Sequence, residues 1–155
     1  MKNKKQVGKA LGRVASGLFV VTAKCEDKED AVLASWVNQC SFDPPALTTA
    51  LATLRSARLL VEASGSFIVN VLPKDDMSLL KHFSRPPEDI FKGVKTRKGL
   101  DGIRILTEAV SYLECEVVQA MQAGDHVVYV GEVVGGKSLK GGDPYIHVRD
   151  NGFGY

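Results

Sequence analysis

The stretch Ala34-Ser35-Trp36-Val37-Asn38-Gln39-Cys40-Ser41-Phe42-Asp43-Pro44-Pro45 joins a strand-like run to an abrupt stop. Proline supplies no backbone donor and restrains the residue before it, so Asp43-Pro44-Pro45 ends the ladder that precedes it. Upstream, residues 17–24 carry Leu18, Phe19, Val20, Val21 and Thr22, a β-branched and aromatic run that reads as a strand. The charged turn Glu26-Asp27-Lys28-Glu29-Asp30 folds it back onto a second strand, residues 31–40, to make a hairpin. Beyond the prolines, residues 46–53 form the third strand.

Further out, the pattern stays β with short helical interruptions. Residues 5–15 read as a helix with Val7, Leu11 and Val14 at helical spacing. Ser56 caps a helix reaching about residue 63, and residues 66–72 are a fourth strand. Asp75 or Asp76 starts a helix carrying Met77, Leu79, Leu80 and Phe83 that breaks at Arg85-Pro86-Pro87. Residues 88–102 read as irregular, with Phe91 and the basic cluster Lys92, Lys95, Arg97 and Lys98. Strands follow at 103–106, 112–121 and 126–134, then a Gly-rich loop at 135–142 and a last short strand at 145–148. Many strands joined by turns, without a βαβ rhythm, predict a mainly β, antiparallel barrel or sandwich. Residues 127–134 are nearly all apolar, as in a strand covered on both faces, and a dimer interface is one such cover.

Size and composition set outer bounds. With 155 residues the chain makes one domain, spanning 1–155, that buries roughly 70% of its unfolded surface. A net charge of +2 argues against nucleic-acid binding, and Lys2, Lys4 and Lys5 read as a solvated tail. No run approaches the ~18 apolar residues of a membrane span, so a soluble cytoplasmic protein is expected. Cys25, Cys40 and Cys115 are too few and too widely spaced for a disulfide framework or a zinc site, and no metal is expected.

One motif is rejected on context. Gly131-Glu132-Val133-Val134-Gly135-Gly136-Lys137-Ser138 matches the phosphate-loop pattern letter for letter. A phosphate loop needs a flexible interior and a helix opening at its Lys-Ser. Here the interior is strand-forming, and Leu139-Lys140-Gly141-Gly142-Asp143-Pro144 cannot continue as a helix.

Two clusters carry possible chemistry. Ser35, Asn38, Gln39 and Ser41 crowd around the only tryptophan, Trp36, where a half-buried strand should alternate. Such a polar edge beside an aromatic surface suits a planar heterocycle rich in donors and acceptors. The same residues also fit an ordinary strand with a polar outer face. The second cluster, Thr53, Arg55, Ser56 and Arg58, puts hydroxyls and guanidinium groups at a helix N-terminus, a competent phosphate site. A capped helix with exposed arginines reads the same way.

In this order the clusters resemble the flavin-reductase-like family with the FMN-binding split barrel. The likeness is specific in three blocks: ASWVNQCSFDPPALTTAL at 34–51, SFIVNVLP at 66–73 with Lys81-His82-Phe83, and YLECEVVQAMQAGDHVVYVGEV at 112–134. It is similar to the flavin-reductase module of cyanobacterial diflavin flavoproteins, and at Trp36 and Asn38 to flavoredoxin-type proteins. The resemblance implies an antiparallel Greek-key split β-barrel with a few short helices, and a homodimer with one FMN per subunit near the interface. By position, Ser35, Trp36, Val37 and Asn38 would meet the ring and ribityl chain, with Ser41 nearby, while Thr53, Arg55 and Ser56 would hold the phosphate. Ala52-Thr53-Leu54 stands where many relatives are more polar, which leaves Arg55 or Arg58 as the phosphate cation. Gly124-Asp125-His126 matches the family's G-D-H, implying that His126 faces the substrate side of the flavin, as the catalytic candidate. Cys40 is expected to be buried as a small apolar residue, and Phe153 and Tyr155 to cover a partner's flavin. The implied reaction takes a hydride from NADH or NADPH and passes electrons to a second acceptor, a small-molecule flavin or a protein. The alternatives are an FMN electron carrier without NAD(P)H turnover, or an FMN- or haem-binding barrel without redox turnover.

Overall fold

The computed structural model describes residues 1–154. In chain order the elements are α1 (Lys4–Gly12), β1 (Ser16–Gly17), β2 (Phe19–Cys25), β3 (Lys28–Ala34), β4 (Val37–Phe42), β5 (Pro45–Ala52), α2 (Ser56–Ser64), β6 (Ser66–Val71), α3 (Ser78–Ser84), β7 (Thr96–Lys98), β8 (Arg104–Leu106), β9 (Ser111–Ala123), β10 (His126–Ser138) and β11 (Ile146–His147). Seven strands form one antiparallel sheet in the order β3-β2-β6-β9-β10-β5-β4. Its two edge strands, β3 and β4, are joined by Ser35 and Trp36 alone. Three Cα–Cα steps span at most about 11 Å, so the sheet must curl until its edges nearly meet. The result is a barrel split at the Ser35-Trp36 seam, the mainly β architecture expected.

Strand alternation divides the interior. Val21, Ala23, Val37, Leu47, Leu51, Phe67, Val69, Cys115, Val127 and Tyr129 fill the barrel, closed by Val61 of α2. The opposite faces of β2 and β6 are also buried. Leu18, Val20 and Leu72 pack under Leu79 and Phe83 of α3 and under Phe91, while Ile68 packs with Ile103 and Ile105. One polar residue ties these layers together. Asn70 is fully buried; its Nδ2 donates to the Val20 carbonyl (3.0 Å) and to Thr22 Oγ1 (3.3 Å), and its Oδ1 accepts from the Leu106 amide (2.8 Å). Every polar atom of its amide thus finds a partner, as burial demands.

Several expectations are corrected. The strand expected over 31–40 is broken at Ser35-Trp36, because the chain there crosses from one sheet edge to the other. The expected Gly-rich loop at 135–142 is strand as far as Ser138, since β10 pairs with β9 to the end through two register shifts. That continuous pairing removes the phosphate-loop reading for good. The basic stretch expected to be irregular holds β7, paired with β8. Cys40 is exposed rather than buried: it falls at the register shift between Gln39 and Ser41 on edge strand β4. Cys115 is the buried thiol, and burial pushes its pKa up to about 12. Lys4 and Lys5 are solvent-exposed as expected, and both lie in the first turn of α1. That helix stops at Gly12, short of the expected residue 15; its buried residues are Gly8 and Gly12, whereas Leu11 is exposed, as is Val14 beyond its end.

Candidate functional site

The strand crossing that closes the barrel also builds the site. Ser35 leaves β3 with its side chain turned inward: it is 2% exposed, and its Oγ has no hydrogen-bond partner in the protein. A buried hydroxyl without a partner costs roughly 1–3 kcal/mol, which marks a place where a ligand can complete it. Ser35 lines a cavity of about 950 Å³, within the roughly 300–1,000 Å³ typical of small-molecule sites. Arg55 and Ser56 line the same cavity. One residue of the first sequence cluster and two of the second therefore line the same cavity.

The remaining predicted residues divide by strand face. Cross-strand partners share a face of a sheet, and His126, Val128 and Val130 alternate with the barrel-filling Val127 and Tyr129. Val128 pairs with Ala50 and Met121, and the Ala50 amide donates to the Trp36 carbonyl (3.0 Å). Val130 pairs with Thr48, which pairs with Asn38. Trp36, Asn38 and His126 are thus gathered on the outer face of β4, β5 and β10. There the Trp36 and His126 rings approach to 4.7 Å between centroids, tilted at 49°. Val37, with the opposite parity, points into the barrel core, so only its backbone can meet a ligand. Asn38 and Ser41 lie on the β4 edge rather than on the cavity wall.

The hydroxyl–arginine cluster is also sorted. Thr53 is turned to the β9–β10 turn, its amide and its Oγ1 both donating to the Asp125 carbonyl at 2.9 Å. Ser56 Oγ donates to the Asp30 carboxylate, which also accepts from the Ala31 amide at 2.8 Å. Arg58 is occupied elsewhere: its Nε donates to the Thr53 carbonyl (2.9 Å) and its guanidinium pairs with Glu62. The Tyr129 hydroxyl beside it raises the Arg58 pKa further. Arg55, by contrast, is exposed and lines the cavity at the N-cap of α2.

A further wall was missed by sequence reasoning. His147, Arg149, Asn151 and Phe153 of the C-terminal segment also line the cavity. The Arg149 guanidinium lies 5.4 Å from the Trp36 ring centroid and so links the cavity to the Trp36–His126 pair. Phe153 stands in its own subunit's cavity, with Lys4 Nζ 5.4 Å from its ring centroid; Tyr155, paired with it in the sequence reading, lies outside the described residues. The signal available beforehand was Gly8-x-x-x-Gly12, a helix face with no side chains. No helix among the described residues is long and apolar enough to cross a membrane, and no three His, Cys, Asp or Glu side chains among them gather as a metal site.

The profile of the flavin reductase like domain matches residues 11–153. The chain belongs to that family. Membership ties it to flavin-dependent redox chemistry and agrees with the resemblance read from residues 34–51, 66–73 and 112–134. Diflavin flavoprotein A 1 of Synechocystis sp. is 40% identical over 136 residues, covering 85% of this chain and 24% of the relative. This flavin reductase-like chain thus spans about a quarter of the length of the curated relatives it matches. Among solved structures, nitrilotriacetate monooxygenase component B from Mycobacterium thermoresistibile superposes with a TM-score of 0.86 at 23% identity, covering 96% of this chain and 84% of its own. The Streptomyces globisporus NADH:FAD oxidoreductase SgcE6, in complex with NAD and FAD fragments, gives 0.85 at 23% identity, covering 95% and 89%. At such identities these likenesses speak to the fold.

Proposed function

We propose that this protein binds FMN and acts as an NAD(P)H-dependent flavin reductase that passes electrons to a second acceptor. The observation that carries the reading is the partnerless buried hydroxyl of Ser35 on a cavity shared with Arg55 and bridged by Arg149 to the Trp36–His126 pair. Arg55 and the first amides of α2 would hold the phosphate, where a helix N-terminus and a guanidinium favour an anion. Ser35 would donate to the flavin, and the Trp36 indole would border its ring. Thr53 would act from behind by fixing the turn that carries His126, and His126 would steady the nicotinamide. A flavin held there would supply the hydride-accepting and electron-transferring chemistry. No dinucleotide fingerprint is present in the sequence, so the nicotinamide cofactor would visit the site transiently.

A homodimer belongs to the proposal. The outer face of β4, β5, β10 and β9 carries Ala50, Val128, Val130 and Met121, and Met121 and Val118 are 59% and 60% exposed. A second copy laid on this face would cover them and bring its surface to Asn38 and His126. Free thiols at Cys25, Cys40 and Cys115 fit a reducing, cytoplasmic compartment.

A second reading is an FMN electron carrier without NAD(P)H turnover. Steady-state oxidation of NADH and NADPH with free FMN or a ferric complex separates the two. Turnover supports the reductase; bound FMN without turnover supports the carrier. A colourless protein that fails to take up added FMN overturns both.

A further inference from the structure

The helix α1 is attached to the molecule in an unusual way. None of its residues enters an apolar core cluster. Its buried residues are Gly8 and Gly12, which face the C-terminal segment. The Arg149 amide donates to the Gly12 carbonyl at 3.0 Å and the Gly152 amide to the Gly8 carbonyl at 2.7 Å. A Cβ at Gly12 would come within 2.2 Å of the Arg149 carbonyl oxygen, and one at Gly8 within 2.5 Å of Asn151 Oδ1. Neither glycine has a positive φ, so close approach is what requires them here. A glycine inside a helix costs about 1 kcal/mol relative to alanine, and a nine-residue helix is marginal by itself. Helix and segment therefore order each other through backbone contacts instead of through a shared core. Regions held this way open at lower free energy than a packed barrel.

The same segment is one wall of the flavin cavity, presenting His147, Arg149, Asn151 and Phe153. We propose that residues 146–154 are a hinged wall of that cavity, held shut by Gly8 and Gly12, which act as positioning residues. They set whether the flavin stays resident or exchanges as a substrate. The inference rests on the flavin reading above. With the wall docked, Arg149 lies over Trp36 and the segment lines the cavity. With it undocked, the cavity loses that side, and a bound flavin leaves freely. β11 pairs only with Ser16 and Gly17 of β1, in a two-stranded sheet separate from the barrel, so little strand pairing ties the segment down.

The test separates the wall from the flavin. Hydrogen exchange on the apo protein reads the Arg149 and Gly152 amides directly, and stopped-flow displacement of FMN reads its release. In Gly12→Ala both amides lose protection while those of β6 and β9 keep theirs, and FMN leaves at least tenfold faster. Should Gly12→Ala not fold, Gly8→Cys with Asn151→Cys serves instead: when oxidised, the pair slows FMN release, and reductant restores it. Amides that stay protected in Gly12→Ala overturn the inference. So does release at the parent rate once those amides are exposed, or a cross-link that leaves release unchanged. If the parent takes up no FMN, the flavin reading fails and takes the gating role with it, whereas exposed amides in Gly12→Ala still establish the glycine-held wall.

Discussion

Thr53 holds the carbonyl of Asp125 from two sides, with its amide and its hydroxyl both donating at 2.9 Å. The turn thus fixed carries His126, whose Nδ1 lies 2.7 Å from Asp125 Oδ1 and whose ring meets Trp36 at 4.7 Å. A residue read from sequence as a phosphate ligand is placed where it aims an imidazole at the only tryptophan. His126→Ala is therefore expected to slow flavin reduction about tenfold or more, the equivalent of roughly 1.4 kcal/mol, with a smaller loss of FMN affinity. Thr53→Val should reproduce part of that slowing, and Thr53→Ser should restore it. Stopped-flow reduction beside FMN titration makes the comparison; equal losses in both would assign His126 a structural role.

The Asp125–His126 contact carries its own pH dependence. The hydrogen bond to His126 holds the Asp125 carboxyl below its ordinary pKa. A carboxylate so depressed contributes its contact above the usual value of about 3.9 and loses it as pH falls through the folded value. The emission of Trp36, the only tryptophan, should therefore change on an acid limb below the carboxylate range. Asp125→Asn should abolish that limb; an unchanged limb in the variant would point to another group.

The two arginines of the cluster should separate cleanly. Arg55→Ala should weaken FMN binding by ~1.5–3 kcal/mol, the contribution of a charge-assisted contact. Arg58→Ala should leave affinity nearly unchanged but lower the melting temperature, because it strips the Thr53 carbonyl, Glu62 and Tyr129 of a partner. Isothermal titration and thermal melting of the two variants decide it, and a reversed pattern would move the phosphate site to Arg58.

The thiols should differ in reactivity and in their effect on stability. Cys40 is exposed and should react with an aromatic disulfide reagent in the folded protein, whereas Cys115 should react only on unfolding. Burial raises the Cys115 pKa to about 12, while an unfolded thiol ionises near 8.5. Between those values the unfolded chain binds fewer protons, so stability falls as pH rises, by at most about 1.4 kcal/mol per pH unit. Cys115→Ala should flatten that alkaline slope in denaturant titrations.

Asn70→Ala should be among the most destabilising polar substitutions. It leaves the Val20 carbonyl and the Leu106 amide without a side-chain partner in the core. Each orphaned buried group costs roughly 1–3 kcal/mol, and a loss below ~1 kcal/mol in urea unfolding would mean that the cavity has rewetted.

Much of the fold was legible because strand signals are local. The proline stop after Phe42, the charged turn at 26–30 and the G-D-H turn each mark a hairpin the structure contains. Less legible were features set by distant partners. Nothing near Ser35 announces that a single strand-like run must change edges, because only the closure of the whole sheet demands it. Leu11 looked like the buried side of α1 by its apolarity, but the segment it meets arrives from the far end of the chain and requires glycine instead. In the candidate site, residue types singled out Ser35, Trp36 and Arg55, and the resemblance at the G-D-H turn added His126. They could not show that Thr53 and Arg58 are turned to the protein itself, or that Arg149 stands over the indole.

The two-residue link between the sheet's edges leaves this protein little freedom at that point. An insertion beside Ser35 would let the cylinder spring open and would displace Trp36 with it, so stability and ligand grip fail together. Loop length can drift at the β2–β3 tip, on the far side of that hairpin, but at this seam the number of residues is itself part of the binding chemistry.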